Sequence, residues 1–170
     1  MPAEARAELE ELEAEVDVAA EGELDVSQPP VPAATWTKRL RKTDAQHPPS
    51  AKSNPVGSAR LTKARHKISS LTWFREELFG PAAWSAGRDS KDNPIETATV
   101  SFLVSIDGQS HGLVDLKVDH APHRVSDQDN HATVLHWGDL SPLLRDTDYT
   151  GHTLTLQRMS DGSYRLDISP

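Results

Sequence analysis

Nine basic side chains fall within residues 36–67: Lys38, Arg39, Arg41, Lys42, Lys52, Arg60, Lys63, Arg65 and Lys67. Asp44 is the only acidic residue there, so the stretch carries a net charge of +8. Such a density suits phosphate contacts, which supply affinity and register to a nucleic-acid complex but no sequence choice. Choice needs groups that match base edges. Gln46 and Asn54 stand beside the cluster and can pair bidentately with adenine in the major groove, as arginine can with guanine. A second polar stretch, Asp119 to Asn130, repeats this composition at lower charge, with His120, His123, Arg124, Gln128 and Asn130. The competing reading is a solvated basic face bordered by two long loops.

Two other chemistries have residues to carry them. His120, His123 and His131 with Asp119 are types that zinc accepts. Asp115-Leu116-Lys117, preceded by Asp107, has the acidic-x-Lys form that some nucleases use to hold Mg²⁺ and orient water, which requires two carboxylates to converge on one ion. The triplet is short and recurs by chance. No glycine-flanked nucleophile elbow and no glycine-rich phosphate loop is present. The chain has no cysteine, which excludes disulfides and thiolate metal sites.

The elements that must position these groups read mainly as β-structure. Thr97 to Ile106 alternates, with Ala98, Val100, Phe102, Val104 and Ile106 on one parity. Asp107-Gly108 is a strong hairpin turn. A returning strand runs from Gly112 to Val118. Thr35 to Lys42, Arg60 to Ala64, Thr133 to Trp137, and a last hairpin of His152 to Arg158 and Ser163 to Ile168 complete six or seven strands. Thr72 is placed to cap a short helix over Trp73 to Phe79, with Phe74 and Leu78 facing the core together. Ser141-Pro142 starts a second helical turn. Residues 81–95 read as irregular. Asp44 to Ser58, with His47-Pro48-Pro49 and Asn54-Pro55, reads as a long loop, and loops of that length in compact domains usually have a function. No consecutive strands are separated by the helical crossover that a parallel sheet requires, so the expected architecture is a mainly antiparallel, seven-stranded open β-barrel with two short helices.

The formal net charge of −8 hides an asymmetry. Residues 1–25 hold ten acidic side chains and one basic, a net of −9, and the remainder has a net of +1. Local field matters more than total charge to a phosphate-binding surface. Ala3 to Glu15 reads as an Ala/Glu/Leu-rich helix outside the core, and the proline-bearing stretch that follows reads as a linker, which sets a division into residues 1–34 and 35–170. The acidic segment is also able to compete with DNA for the basic stretch as an internal phosphate mimic. No apolar run is long enough to span a bilayer and no signal pattern opens the chain, so the expected location is the cytoplasm, of a bacterium once the resemblance below is added.

Lys42-Thr43-Asp44-Ala45-Gln46, then Gly57 with Arg60-Leu61-Thr62-Lys63-Ala64, Trp73-Phe74-Arg75 with Leu78-Phe79, and Leu135-His136-Trp137-Gly138 together resemble the B3-like DNA-recognition domain of type II restriction endonucleases. The likeness spans roughly residues 36–169. It implies a pseudobarrel that grips the major groove of double-stranded DNA with two arms. By this resemblance the N-arm is residues 42–63, with Lys42, Asp44, Gln46, Asn54, Arg60 and Lys63 as contacts and Lys38, Arg41, His47 and Lys52 beside them. The C-arm is residues 119–136, with His120, His123, Arg124, Gln128, Asn130 and His131. The expected activity is sequence-specific binding with no catalytic residue, cofactor or metal in the barrel, cleavage belonging to a linked nuclease domain. A Mg²⁺ nuclease using Asp115 and Lys117, and a protein-interaction barrel, are the alternatives.

Overall fold

Residues 28–47, 57–126 and 131–170 are described by a computed structural model. The expected helix over residues 3–15 lies outside them, as do Lys52, Asn54, Gln128 and Asn130. The chain divides between Val31 and Pro32 into two units. The strands all belong to the second.

Eight strands form one mixed sheet curled into an open half-barrel: β1 (Pro32–Arg39), β2 (Ser58–Leu61), β3 (Ser85–Arg88), β4 (Pro94–Ile106), β5 (Gln109–His120), β6 (Thr133–His136), β7 (Thr153–Met159) and β8 (Tyr164–Ser169). Their order is β1-β7-β8-β4-β5-β6-β2, with β3 paired to the start of β4. The alternation read from the sequence decides which face is inside: Val100, Phe102, Val104 and Ile106 of β4 are buried, and so are Leu154, Leu156, Leu166 and Ile168 of the last hairpin. Asp107 and Gly108 take φ of 51° and 79°, the positive values that a tight hairpin turn requires. The register slips between Val104 and Ser105, where Gly112 at φ 71° absorbs an extra residue on β5.

One pairing departs from the antiparallel expectation. Phe102–Ile106 of β4 runs parallel to Tyr164–Ile168 of β8. A helical crossover is required only where the parallel strands follow one another directly. Here β5, β6 and β7 intervene, so the crossover is the far side of the barrel. β3 was also unforeseen. Its residues Ser-Ala-Gly-Arg are all exposed and contain no β-branched or aromatic side chain, so its pairing with Pro94–Thr97 left no apolar pattern to read.

The short helices close the ends. Phe74–Leu78 is a single π turn, with the Phe79 N–H donating to the Phe74 carbonyl at 2.8 Å. Thr72 does not cap it; the turn begins after Trp73 without a side-chain cap. Phe74 and Leu78 are buried as expected, and Trp73 packs edge-on against Phe74. Trp84 donates its indole N–H to the Phe79 carbonyl at 2.9 Å. Helix α1 is His123–Ser126 and α2 is Ser141–Asp146, the latter with proline in its first turn. Among the described residues, no helix is long and apolar enough to cross a membrane.

Candidate nucleic-acid interface

The path of the sheet ends in two edge strands, β1 and β2, and an edge strand leaves every second backbone group without a partner. On β2 and just beyond it those groups are met by side chains. The Ser58 carbonyl accepts from Gln46 Nε2 at 3.4 Å. The Arg60 N–H donates to Asp44 Oδ1 at 3.4 Å, and the Arg60 carbonyl accepts from Lys38 Nζ at 2.9 Å. The Thr62 carbonyl accepts from Trp36 Nε1 at 2.9 Å. His66 Nε2 lies 3.2 Å from the Thr37 N–H on β1. The seam between the two edges is therefore closed by side chains from β1, from the start of the 41–57 loop and from His66 beyond β2.

The same groups form the neck of the N-arm. Asp44, 4 % exposed, accepts the Arg41 N–H at 3.2 Å and pairs with Lys38 Nζ at 3.0 Å. Its carbonyl accepts from Trp137 Nε1 at 2.7 Å. Gln46, 2 % exposed at a φ of 64°, accepts the Gly57 N–H at 2.6 Å and donates to the Thr43 and Asp44 carbonyls. His47 Nε2 donates to the Leu144 carbonyl at 2.7 Å, satisfying a group at the C-terminal end of α2. Burial lowers the Lys38 pKa below the ordinary lysine value, with Asp44 acting in the opposite direction. Trp36 and Trp137, fully buried, thus serve both the core and the root of this arm.

The C-arm neck is built differently. β5 ends at His120 and β6 begins at Thr133, and the Ala121 N–H donates to the Ala132 carbonyl at 2.8 Å across the mouth of the loop. Arg124 of α1 donates to that same carbonyl at 3.0 Å and to Asp119 Oδ1 at 2.6 Å. Asp119 Oδ2 accepts from His136 Nε2 at 2.5 Å. Burial pushes the Asp119 pKa up, but the hydrogen bonds and charges of His136 and Arg124 outweigh it and hold the carboxyl below its ordinary range. His120 is buried, with Nδ1 2.9 Å from Thr133 Oγ1. Burial lowers its pKa below the ordinary histidine value, with Glu96 working the other way. His123 reaches toward Asp89 Oδ2 at 3.5 Å, and His131 is buried.

These positions change the roles of several residues named from the sequence. Lys38, Asp44, Gln46, His120 and His131 are inside the protein, and Arg124 is tied to a carboxylate and a carbonyl. In this arrangement they shape the arms; they do not present free groups to solvent. Arg41, Lys42, Arg60 and Lys63 are exposed, together with Arg65 and Lys67, and none of the six pairs with a carboxylate of another described residue. The histidines do not converge on one point, because His120 turns to Thr133 and His123 to Asp89. Among the described residues no group of three His, Cys, Asp or Glu side chains could hold a metal. Asp115 bonds Ser101, whereas Asp107 sits in the hairpin turn and pairs with His152 at 3.2 Å. Eight residues of chain separate the two carboxylates along the hairpin, on the order of 20 Å at strand spacing.

The sheet brings the two necks together. β2 and β5 both pair with β6: Ser58 stands opposite His136, Arg60 opposite Val134, and Val134 opposite Asp119. Leu135 faces the core, so Arg60, His136 and Ser58 lie on the outer face, between the mouths of the two arms. His136 was not among the residues singled out. It lies within the 119–136 arm and the Leu135–Gly138 segment of the resemblance, with no role of its own assigned there. Arg75 was also unassigned. It forms a two-point pair with Glu96 at 2.9 and 3.2 Å and stacks on Trp84 at 4.6 Å, beside an open cavity of about 440 Å³ that reaches His120 and Pro122.

The open, curled β half-barrel, with two loops rooted on adjoining strands, is an architecture compatible with nucleic-acid binding. No family model, curated protein or solved structure matches the chain.

Proposed function

We propose that the barrel is a sequence-specific recognition module for double-stranded DNA, entering the major groove with residues 42–63 on one side and 119–136 on the other and performing no chemistry itself. The observation that carries this reading is the rooting of both polar loops on the β2-β6-β5 corner, with six exposed cations unpaired by the described carboxylates between residues 41 and 67. Arg41, Lys42, Lys63, Arg65 and Lys67 hold the phosphates. Arg60, on the strip between the arms, is the best-placed cation to reach the groove. The buried polar groups at the necks support the reading indirectly, since a site that compares base edges must be held rigidly by what lies beneath it. The resemblance in Lys42–Gln46 and Leu135–Gly138 narrows the role to the target-recognition part of a type II restriction endonuclease, working in a bacterial cytoplasm beside a linked nuclease domain.

The test is retention of duplexes from a random pool, followed by titration of the enriched sequence. The reading requires enrichment of a defined site. It also requires affinity that falls linearly on a log–log salt plot, with a slope of about −0.9 per phosphate neutralised. Retention without sequence preference would reduce the barrel to a non-specific binder, and no retention would end the reading. Cleavage of plasmid with Mg²⁺ by the barrel alone, abolished by Asp115→Ala, would favour a nuclease instead.

A further inference from the structure

We propose that Arg60 is a specificity-determining residue that reads a guanine, donating two parallel hydrogen bonds from its guanidinium to O6 and N7 in the major groove. The inference rests on the DNA-binding reading above and adds the base that one position of the site must present.

Six exposed cations lie between residues 41 and 67, and Arg60 is the one among them that stands on a strand. Arg41, Lys42, Lys63, Arg65 and Lys67 all lie in turns or loops. The side chains on either side of Arg60, Ala59 and Leu61, are fully buried, so the pleat sends Arg60 to the opposite, outer face. Both of its backbone groups are also held. The N–H donates to Asp44 Oδ1 at 3.4 Å, and the carbonyl accepts from Lys38 Nζ at 2.9 Å. Those two partners are themselves paired at 3.0 Å, with side chains 5 % and 8 % exposed. One buried ion pair thus grips an exposed arginine by its N–H and its carbonyl. A phosphate contact needs charge nearby and tolerates a moving loop, whereas comparing base edges needs donors fixed in place from beneath.

The far end of this side chain is left available. No carboxylate of a described residue pairs with the Arg60 guanidinium. Asp119 stands two strands away on the same strip, through Val134, but it is buried and has one oxygen bonded to Arg124 and the other to His136. A guanidinium stays charged and presents donors in a planar fork. In the major groove guanine sets two acceptors, O6 and N7, side by side. Adenine places an amine beside its N7, cytosine offers an amine, and thymine has one carbonyl beside a methyl group. The fork therefore matches guanine with both arms and meets each other base with one acceptor at most.

The experiment uses the full chain and the duplex enriched from a random pool. Each guanine of the enriched site is replaced in turn by 7-deazaguanine, which keeps Watson–Crick pairing and lacks the N7 acceptor. Wild type should lose about three- to tenfold in affinity at one guanine. Arg60→Ala changes an exposed side chain and keeps the backbone clamp. It should weaken binding to the parent duplex by about tenfold, relax the preference at that same guanine alone, and no longer distinguish the analogue there. If Arg60→Ala weakens every sequence by one factor, Arg60 holds a phosphate, and the inference is overturned while DNA recognition stands. The same follows if the variant still discriminates the analogue, or if the enriched site contains no G·C pair. If wild type enriches no sequence at all, both readings fall together.

Discussion

The two arm necks solve one problem with different materials. At the N-arm neck, buried side chains satisfy backbone groups: Gln46 and Asp44 between them bond Gly57, Ser58, Arg60, Arg41 and Thr43, and the one charged pair, Lys38 with Asp44, is sealed from solvent. At the C-arm neck, Arg124, Asp119 and His136 form a partly exposed polar cluster, and the backbone group it bonds is the Ala132 carbonyl. The first device locks a loop to a sheet edge with groups that solvent does not reach. The second holds a short helix with contacts that solvent and salt can weaken. The difference is between a fixed neck and an adjustable one.

The largest effect should follow from the fixed neck. Asp44→Ala leaves Lys38 buried without its counter-charge and strips the acceptor from two backbone N–H groups, a loss of about 3–5 kcal/mol by chemical denaturation. An equal loss from Asp119→Ala would erase the distinction between the necks. Gln46→Ala comes next, at about 1–3 kcal/mol, because the Gly57 N–H is left unsatisfied while the ring of Trp137 still holds the Asp44 carbonyl. A stability change within about 0.5 kcal/mol would place Gln46 outside the neck.

The adjustable neck should respond to acid. The folded Asp119 carboxyl lies below the ordinary aspartate pKa of 3.8, so its stabilisation is complete above that value and is lost as pH falls through the lower folded value. Asp119→Asn should therefore cost about 1 kcal/mol near pH 6, and the cost should shrink as pH falls below 3.8, read from denaturation midpoints across pH. A gap that does not change with pH would show that the carboxylate's charge is not what holds the C-arm neck. Arg60→Ala should be nearly silent in stability, yet it should weaken duplex binding and make the log–log salt slope shallower by about one.

The strands with strong alternation were legible without coordinates. Thr97–Ile106, its Asp107-Gly108 turn and the last hairpin follow from period-two burial and turn chemistry. The basic cluster was equally plain, since charge needs no fold to be counted. What escaped was the direction of polar side chains. Gln46 has the composition of a base reader, but the positive φ it adopts folds its amide back into the loop mouth. Lys38 breaks the alternation of β1 because it reaches across the seam to Arg60 and Asp44, a contact 22 residues away that no local pattern encodes. His136 was hidden for the opposite reason: among buried neighbours on a four-residue strand, nothing local marks it as facing out.

The central claim is that the corner formed by β2, β6 and β5, with the two arm mouths beside it, is the face that meets DNA. Titrating the enriched duplex into the labelled protein and following backbone amide shifts tests it directly. The largest changes should fall at residues 57–60, 117–124 and 133–136. Changes centred instead on the outer face of the β4–β5 hairpin, around Leu103 and Leu113, would contradict it.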